Sequence, residues 1–210
     1  MNASSKEAGQ ALFAPRQALD LSAAPGLWRV VHGVFTVQHL VGEEDVEVLA
    51  VPGDLIGVER LGVSVTTASC SAVTAACLEP VGWDTLPQRL AMLQEAYDQS
   101  QRQCLNLKRL RTGAMPERLR HLLVLLGRHA SEAADTADLE LPTLRQMAEL
   151  TDSTAESVCR VLSRLKGQDM LYLVGPGQTR MQLDVLRKAE VKAIIPVWPR
   201  ARQAALAAAR

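Results

Sequence analysis

Aromatic side chains are scarce in this sequence: three Trp, two Tyr and two Phe make up 3% of its 210 residues. Base-stacking binders of RNA and single strands, which rest on aromatic platforms, are thereby excluded. The core must come from Leu, Val, Ala, Ile and Met. Cysteine is sparse as well. Cys70, Cys77, Cys104 and Cys159 form no C-x-x-C pair and have no histidine at zinc-ligand spacing, which argues against a structural metal. No uncharged apolar run approaches the roughly 20 residues that span a bilayer. The opening MNASSKEAGQ also lacks the basic-then-apolar order of a secretion signal. The expectation is a cytoplasmic protein with reduced thiols and no membrane partner.

Net charge is absent too, with 23 basic and 23 acidic side chains, but its distribution is uneven. Residues 1–113 hold 9 Lys/Arg and 12 Asp/Glu, whereas residues 114–210 hold 14 and 11. The C-terminal half therefore carries the positive excess that a phosphate-contacting surface needs. With 48% hydrophobic residues the chain has ample material for a packed core. An enzyme reading finds no G-x-S-x-G, no phosphate-cradling glycine loop and no metal cluster. His121 and His129 lie eight apart without a carboxylate or nucleophile at matching spacing.

Residues 12–81 are rich in Val, Thr and Gly, and turn signals break them into short apolar runs that read as strands. A strand over 28–37 meets an acidic turn at Gly42-Glu43-Glu44-Asp45. Val46, Val48 and Ala50 then alternate with Glu47 and Leu49, the pattern of a hairpin. Pro52-Gly53-Asp54 marks another turn, and 63–78 is again β-prone. At Asp84 the composition changes to Leu, Gln, Arg, Ala and Glu. Thr85-Leu86-Pro87-Gln88 fits a capping box, and Gly113 suits the stop of a helix of about 27 residues, roughly 40 Å long.

Along that helix Leu86, Leu90, Leu93, Tyr97, Ser100, Cys104 and Leu107 step by four and three, the spacing of a coiled-coil seam. The apolar six, Leu86, Leu90, Leu93, Tyr97, Cys104 and Leu107, are the candidate dimerisation residues. The competing reading is a helix packed on its own domain. A second helix opens at Pro116 and runs through Leu119, Leu122, Leu123 and Leu126, and 131–140 reads as an acidic loop.

Thr143-Leu144-Arg145-Gln146 is another capping box, opening a short helix with Leu144, Met147, Ala148 and Leu150 on one face. After a tight turn, Ser153 or Thr154 caps a helix whose buried stripe is Val158, Val161, Leu162 and Leu165. Ala155, Glu156, Cys159 and Arg160 project from the opposite face. Arg160 can donate to guanine N7 and O6, and Glu156 can accept from a cytosine amino group. The alternative makes Glu156 the N3 member of a Ser153 capping box and Arg160 a solvated residue. Met170-Leu171-Tyr172-Leu173-Val174, a Gly175-Pro176-Gly177 turn and 178–183 follow as a β-hairpin, which completes a winged helix.

The run LPTLRQMAELTDSTAESVCRVLSRLKGQDMLYLVG resembles the DNA-binding domain of the CRP/FNR regulators, in which E-x-x-x-R on the recognition helix reads a half-site. Met115-Pro116-Glu117-Arg118-Leu119 resembles the entry to that domain. Gly33 and Pro52-Gly53-Asp54-Leu55-Ile56-Gly57 resemble the glycine turns of its cyclic-nucleotide-binding-like roll. The resemblance covers about residues 12–183. It implies an α+β chain: an N-terminal antiparallel β-roll (a cupin-like jelly roll), a long dimerisation helix, and a C-terminal winged helix-turn-helix. The expected divisions are 1–83 for the roll, 84–113 for the helix, 114–184 for the DNA-binding domain and 185–210 for a tail, irregular or helical.

The resemblance implies a non-enzymatic homodimer that binds double-stranded DNA at an inverted repeat with a TGA-like core and contacts RNA polymerase. Glu156 and Arg160 would read bases beside Ala155 and Cys159. Ser153, Thr154 and Ser157 would lie near phosphates, with Arg145, Arg164 and Arg180 as further backbone contacts. Gly57, Glu59, Arg60, Thr66 and Thr67 occupy the family's effector region. There the phosphate-binding arginine is replaced by Thr66, which argues against cyclic AMP. No cysteine precedes Cys70, which argues against the family's iron–sulfur cluster, and the effector is unknown. His32, His39 and Cys77 read as structural positions rather than haem ligands. The competing function is a protein-interaction adaptor with a degenerate roll and a winged helix that does not meet DNA.

Overall fold

The structure is a computed structural model, and it describes residues 9–19, 26–41, 43–62, 66–129, 135–175 and 178–194. The N-terminal strands are β1 (Ala11–Phe13), β2 (Leu27–His32), β3 (Phe35–Val41), β4 (Glu44–Ala50), β5 (Leu55–Ile56), β6 (Thr66–Ala72) and β7 (Ala76–Val81). They form two antiparallel sheets, ordered β1-β7-β2-β5 and β4-β3-β6. Every second residue of β3 turns inward, so Phe35 and Val37 meet Val30, Ile56, Cys70, Ala72 and Leu78 between the sheets. Phe13 stands edge-on to Phe35, with centroids 5.4 Å apart. Two of the sequence's few rings thus serve one contact.

The strand expected over 28–37 is broken at Gly33, where the chain passes from one sheet to the other. Gly33 has φ +78°, and a Cβ there would lie 2.3 Å from the Ala75 carbonyl oxygen. The hairpin of β3 and β4 is present in full register from Phe35↔Ala50 to Val41↔Glu44, so Glu44 and Asp45 belong to the strand rather than the turn. Leu49 departs from the expected alternation. It is buried on the outer face, in the same apolar cluster as Leu110 and Leu150.

The helix α1 (Leu86–Arg111) begins at Thr85 with the expected capping box, and Gly113 follows its end with φ +92°. It docks on the roll through polar side chains. Gln99 donates to the Leu55 carbonyl (2.9 Å) and accepts from the Leu55 N–H (2.6 Å), and Gln103 donates to the Leu49 carbonyl (3.4 Å). Glu95 forms a two-point ion pair with Arg29. Arg102 reaches the buried Asp54 at 3.0 Å, and Asp54 also caps the turn by accepting from Val51 N–H. Desolvation raises the Asp54 carboxyl pKa above the ordinary range, against the pull of those two donors.

The C-terminal part comprises α2 (Met115–Leu126), β8 (Thr136–Glu140), α3 (Leu144–Leu150), α4 (Ala155–Gly167), β9 (Leu171–Gly175), β10 (Gln178–Gln182) and α5 (Leu183–Ile194). Leu119, Leu122, Leu123, Leu126, Met147, Val158, Leu165, Leu171 and Met181 form its core. A short 3-10 turn over 127–129 follows α2, so His129 leaves the helix that carries His121. The segment read as an acidic loop contains β8, whose Ala137 and Leu139 point inward while Thr136, Asp138 and Glu140 point out. Its charges had masked a period of two. Similarly, the boundary drawn at 184 falls inside α5, where Leu183 and Leu186 are fully buried. Among the described residues no helix is long and apolar enough to cross a membrane.

Candidate nucleic-acid interface

The turn between α3 and α4 is fixed from within. The buried Thr151 hydroxyl donates to the Met147 carbonyl (2.6 Å), and Asp152 takes φ +47°. Arg118 on α2 donates to the carbonyls of Thr151 and Asp152 at 2.8 and 3.0 Å. Arg118 thereby satisfies two carbonyls at the end of α3 and ties the turn before α4 to α2. Arg118 was read from sequence only as part of the domain's entry. Its role depends on a contact 33 positions away.

Thr154, not Ser153, caps α4, accepting from Ser157 N–H at 3.2 Å. The capping-box alternative for Glu156 therefore does not apply, because the N3 position is Ser157. All four residues of the expected stripe, Val158, Val161, Leu162 and Leu165, are buried. On the opposite side Thr154, Ala155, Glu156, Cys159, Arg160 and Arg164 are exposed, with Ser153 and Ser157 partly so. Glu156 and Arg160 pair at 2.6 Å across one helical turn, with side chains 81% and 69% exposed. An exposed pair of this kind contributes only a few tenths of a kcal/mol, so it orders both groups yet yields readily to a stronger partner.

The remaining candidates lie further out. Arg145 extends from α3 and pairs with Glu149 at 2.9 Å. Leu144, expected on the buried face of α3, is exposed. Arg180 on β10 grips Asp138 of β8 through two 2.7 Å hydrogen bonds. This contact raises the arginine pKa and holds the Asp138 carboxyl below its usual range. Arg180 is thus already matched by a carboxylate that sequence reasoning had placed in a loop. β10 lies between β8 and β9 in a three-stranded antiparallel sheet, with exposed Tyr172, Leu173 and Val174 on β9. The turn residues Pro176 and Gly177 lie outside the described residues.

The thiols differ. Burial pushes Cys70 up to about 12, whereas Cys159 is exposed on α4.

The supposed seam of α1 divides. Leu86, Leu90, Tyr97 and Cys104 are exposed, with Leu86, Leu90 and Tyr97 at 70%, 58% and 65%. Leu93 and Leu107 are half-buried. Leu93, Tyr97, Cys104 and Leu107 flank a cavity of about 420 Å³ between α1 and the roll. From the roll, His39, Val46, Val48 and Val58 line it. Of the predicted effector residues, Gly57, Glu59 and Arg60 adjoin Val58 without lining the cavity. Thr66 and Thr67 lie on β6, and their side chains are outside the described residues.

His39 follows Phe35 and Val37 on the inward face of β3, and its Nδ1 is buried with no hydrogen-bond partner among the described residues. Desolvation lowers its pKa, with Glu59 pulling weakly the other way. Below about 6.5 the unfolded chain then binds more protons than the folded one, so stability falls as the pH drops through that value. The thermal midpoint is expected to fall between neutral pH and mild acid, and to fall less in His39→Phe. Equal acid sensitivity in the two proteins would assign the loss to another group.

No family model matches the sequence, and no curated protein matches it. Solved structures do. A CRP/FNR-family transcriptional regulator from Thermus thermophilus is 20% identical with a TM-score of 0.60, over 86% of this chain and 97% of that one. FixK2 from Bradyrhizobium japonicum is 16% identical with a TM-score of 0.58, over 85% and 95%. A second regulator from Thermus thermophilus, of the CRP family, is 23% identical with a TM-score of 0.55, over 85% and 95%. The fold is shared along nearly the whole of these proteins: a β-roll, a long helix and a helix-turn-helix domain.

Proposed function

We propose that the chain is a transcriptional regulator of the CRP/FNR type, a homodimer that reads an inverted repeat in double-stranded DNA through α4. The observation that carries this reading is the solvent-facing side of α4. There Glu156 and Arg160 stand over a buried stripe, with Arg164 and Lys166 in the last turn. A polar helix face bearing a bidentate donor and a carboxylate suits a major groove. Ser153, Thr154 and Ser157 at its N-terminus suit phosphate oxygens. Arg145 and Arg180 act as outer backbone contacts after releasing their carboxylates, and RNA polymerase is the expected protein partner.

The exposed Leu86, Leu90 and Tyr97 form the dimer face, and the apolar cavity beside them takes the effector. Its lining holds no Lys or Arg among the described residues, which favours an uncharged, largely apolar ligand over a cyclic nucleotide. Leu90→Glu combined with Tyr97→Glu is expected to weaken self-association at least about tenfold, visible as a dimer-to-monomer shift in sedimentation velocity with unchanged far-UV circular dichroism. A dimer that survives would move the interface off this face.

The test of the whole reading is selection of bound duplexes from a random library at fixed salt without added ligand. Recovery of a two-fold repeat supports groove reading by a dimer. Enrichment of nothing by a folded dimer favours the adaptor reading, for which the exposed Tyr172, Leu173 and Val174 of β9 supply an apolar contact surface.

A further inference from the structure

Glu47 stands on β4 two residues before Leu49 and on the same face, turned toward the helices rather than into the core between the sheets. It is half-buried where three elements meet. Toward α3 it lines a cavity of about 160 Å³ together with Thr36, Ser71, Gln146 and Glu149. Toward α1 it lies beside Asn106, Leu110 and Arg111, with Leu150 of α3 closing the same gap. Among the described residues no hydrogen bond or ion pair reaches its carboxylate.

Charged groups act on Glu47 from two sides. Arg111 attracts it from α1, and Glu149 repels it from α3. Glu149 is answered on its own helix by Arg145 at 2.9 Å, in a pair whose side chains are largely exposed. So open a pair is weakly held and leaves the Glu149 charge in place near Glu47. The neighbouring strands β3 and β6 present Thr36, Gln38 and Ser71, none of which titrates, and Asp45, the preceding residue on the same face of β4, is exposed. Desolvation raises the Glu47 carboxyl above its ordinary value of 4.5, Arg111 pulls it down, and Glu149 pushes it up again. The apolar contact of Leu49, Leu110 and Leu150 thus closes beside a group that is better accommodated neutral.

We propose that Glu47 and Glu149 form a proton-operated brace between the strands and the helix-turn-helix: with Glu47 neutral, α3 sits firmly on β4, and with both carboxylates charged their repulsion across the cavity loosens that contact. Because α3 leads into α4 through the turn held by Arg118, the charge on Glu47 sets how firmly α4 is tied to the strands. Between 4.5 and its raised folded value, Glu47 keeps in the folded chain a proton that the unfolded chain has released. Its contribution to stability is therefore full below 4.5 and is lost as the pH rises through the folded value. His39 acts in the opposite sense, and differences between variants at one pH remove its share. The brace is independent of the DNA-binding proposal, since both measurements that test it are made without DNA.

The first measurement is urea denaturation of the full chain at about pH 7.5 and about pH 4. Glu47→Gln, neutral and of the same shape, raises the folding equilibrium constant at least about threefold at the higher pH and leaves it within about a factor of two at the lower. Glu149→Gln gives a smaller gain at the higher pH, and the double variant gains less than the sum of the two in free energy. The second is a carbon-13 NMR titration of the Glu47 carboxyl. Its midpoint lies above 4.5, falls in Glu149→Gln and rises in Arg111→Gln. The proposal is overturned if Glu47→Gln is neutral or destabilising at the higher pH, or if its gain persists undiminished in acid. It is also overturned if the Glu47 midpoint is unmoved by Glu149→Gln, which would leave a half-buried carboxyl with no link across the cavity.

Discussion

Arg160→Ala is expected to lower affinity for the selected inverted repeat by about 30-fold or more while leaving affinity for random duplex nearly unchanged. A good base contact contributes about 1–3 kcal/mol, and a two-fold dimer makes it twice, so about 2–6 kcal/mol of discrimination is at stake. The fold should be untouched, because the side chain is 69% exposed and the pair it makes with Glu156 spans a single helical turn. Duplex titrations at one salt concentration, specific and random in parallel, measure the effect. An equal loss on both duplexes would make Arg160 a phosphate contact and leave the base reading to other residues of α4.

The largest loss of stability is expected from Gly33→Ala. A left-handed conformation costs a residue bearing Cβ about 1–2 kcal/mol, and overpacking typically adds about 1–3. Here the new methyl meets backbone on two sides, 2.3 Å from the Ala75 oxygen and 2.6 Å from the Ala76 Cα, so no side-chain rotation relieves it. Urea denaturation should record a loss of about 2–5 kcal/mol. Gly33→Asn separates the two causes. Asparagine tolerates the left-handed region but carries the same Cβ, so it should be no better than alanine. A clear rescue by asparagine would mean that backbone conformation, not crowding, governs the position.

What could be read in the sequence was what local rules govern. The capping boxes at Thr85 and Thr143, and the stripe of Val158, Val161, Leu162 and Leu165, depend on residues three or four apart, and each stands where spacing placed it. The polar face of α4 followed from the same periodicity. Features that depend on distant partners were hidden. Gly33 stands out in the sequence only through the resemblance to a glycine turn, and its crowding against Ala75 and Ala76 is visible only in the fold. Leu49 breaks the hairpin alternation because Leu110 and Leu150 of the helices share its apolar cluster on the outer face of β4, while Val48 and Ala50 fill the core between the sheets. Gln99 and Gln103 gave no sign of burial, since only the main chain of Leu55 and Leu49 makes an amide acceptable there. β8 was lost among its own charges. Its Asp138 changes how Arg180 is understood, from a free cation to one that must exchange a carboxylate for a phosphate.

The outward-facing Leu49 has a further consequence. With Val34, Val51 and Val73 it belongs to the same apolar cluster as Leu122, Met147, Leu150 and Leu165, so the strands, beside the core between their own sheets, share buried surface with the helix-turn-helix. Parts that share buried surface melt together, because neither can open without exposing the other. Heat should therefore unfold this chain in a single transition whose calorimetric and van't Hoff enthalpies agree. A ligand that tightens either half should raise the melting temperature of both.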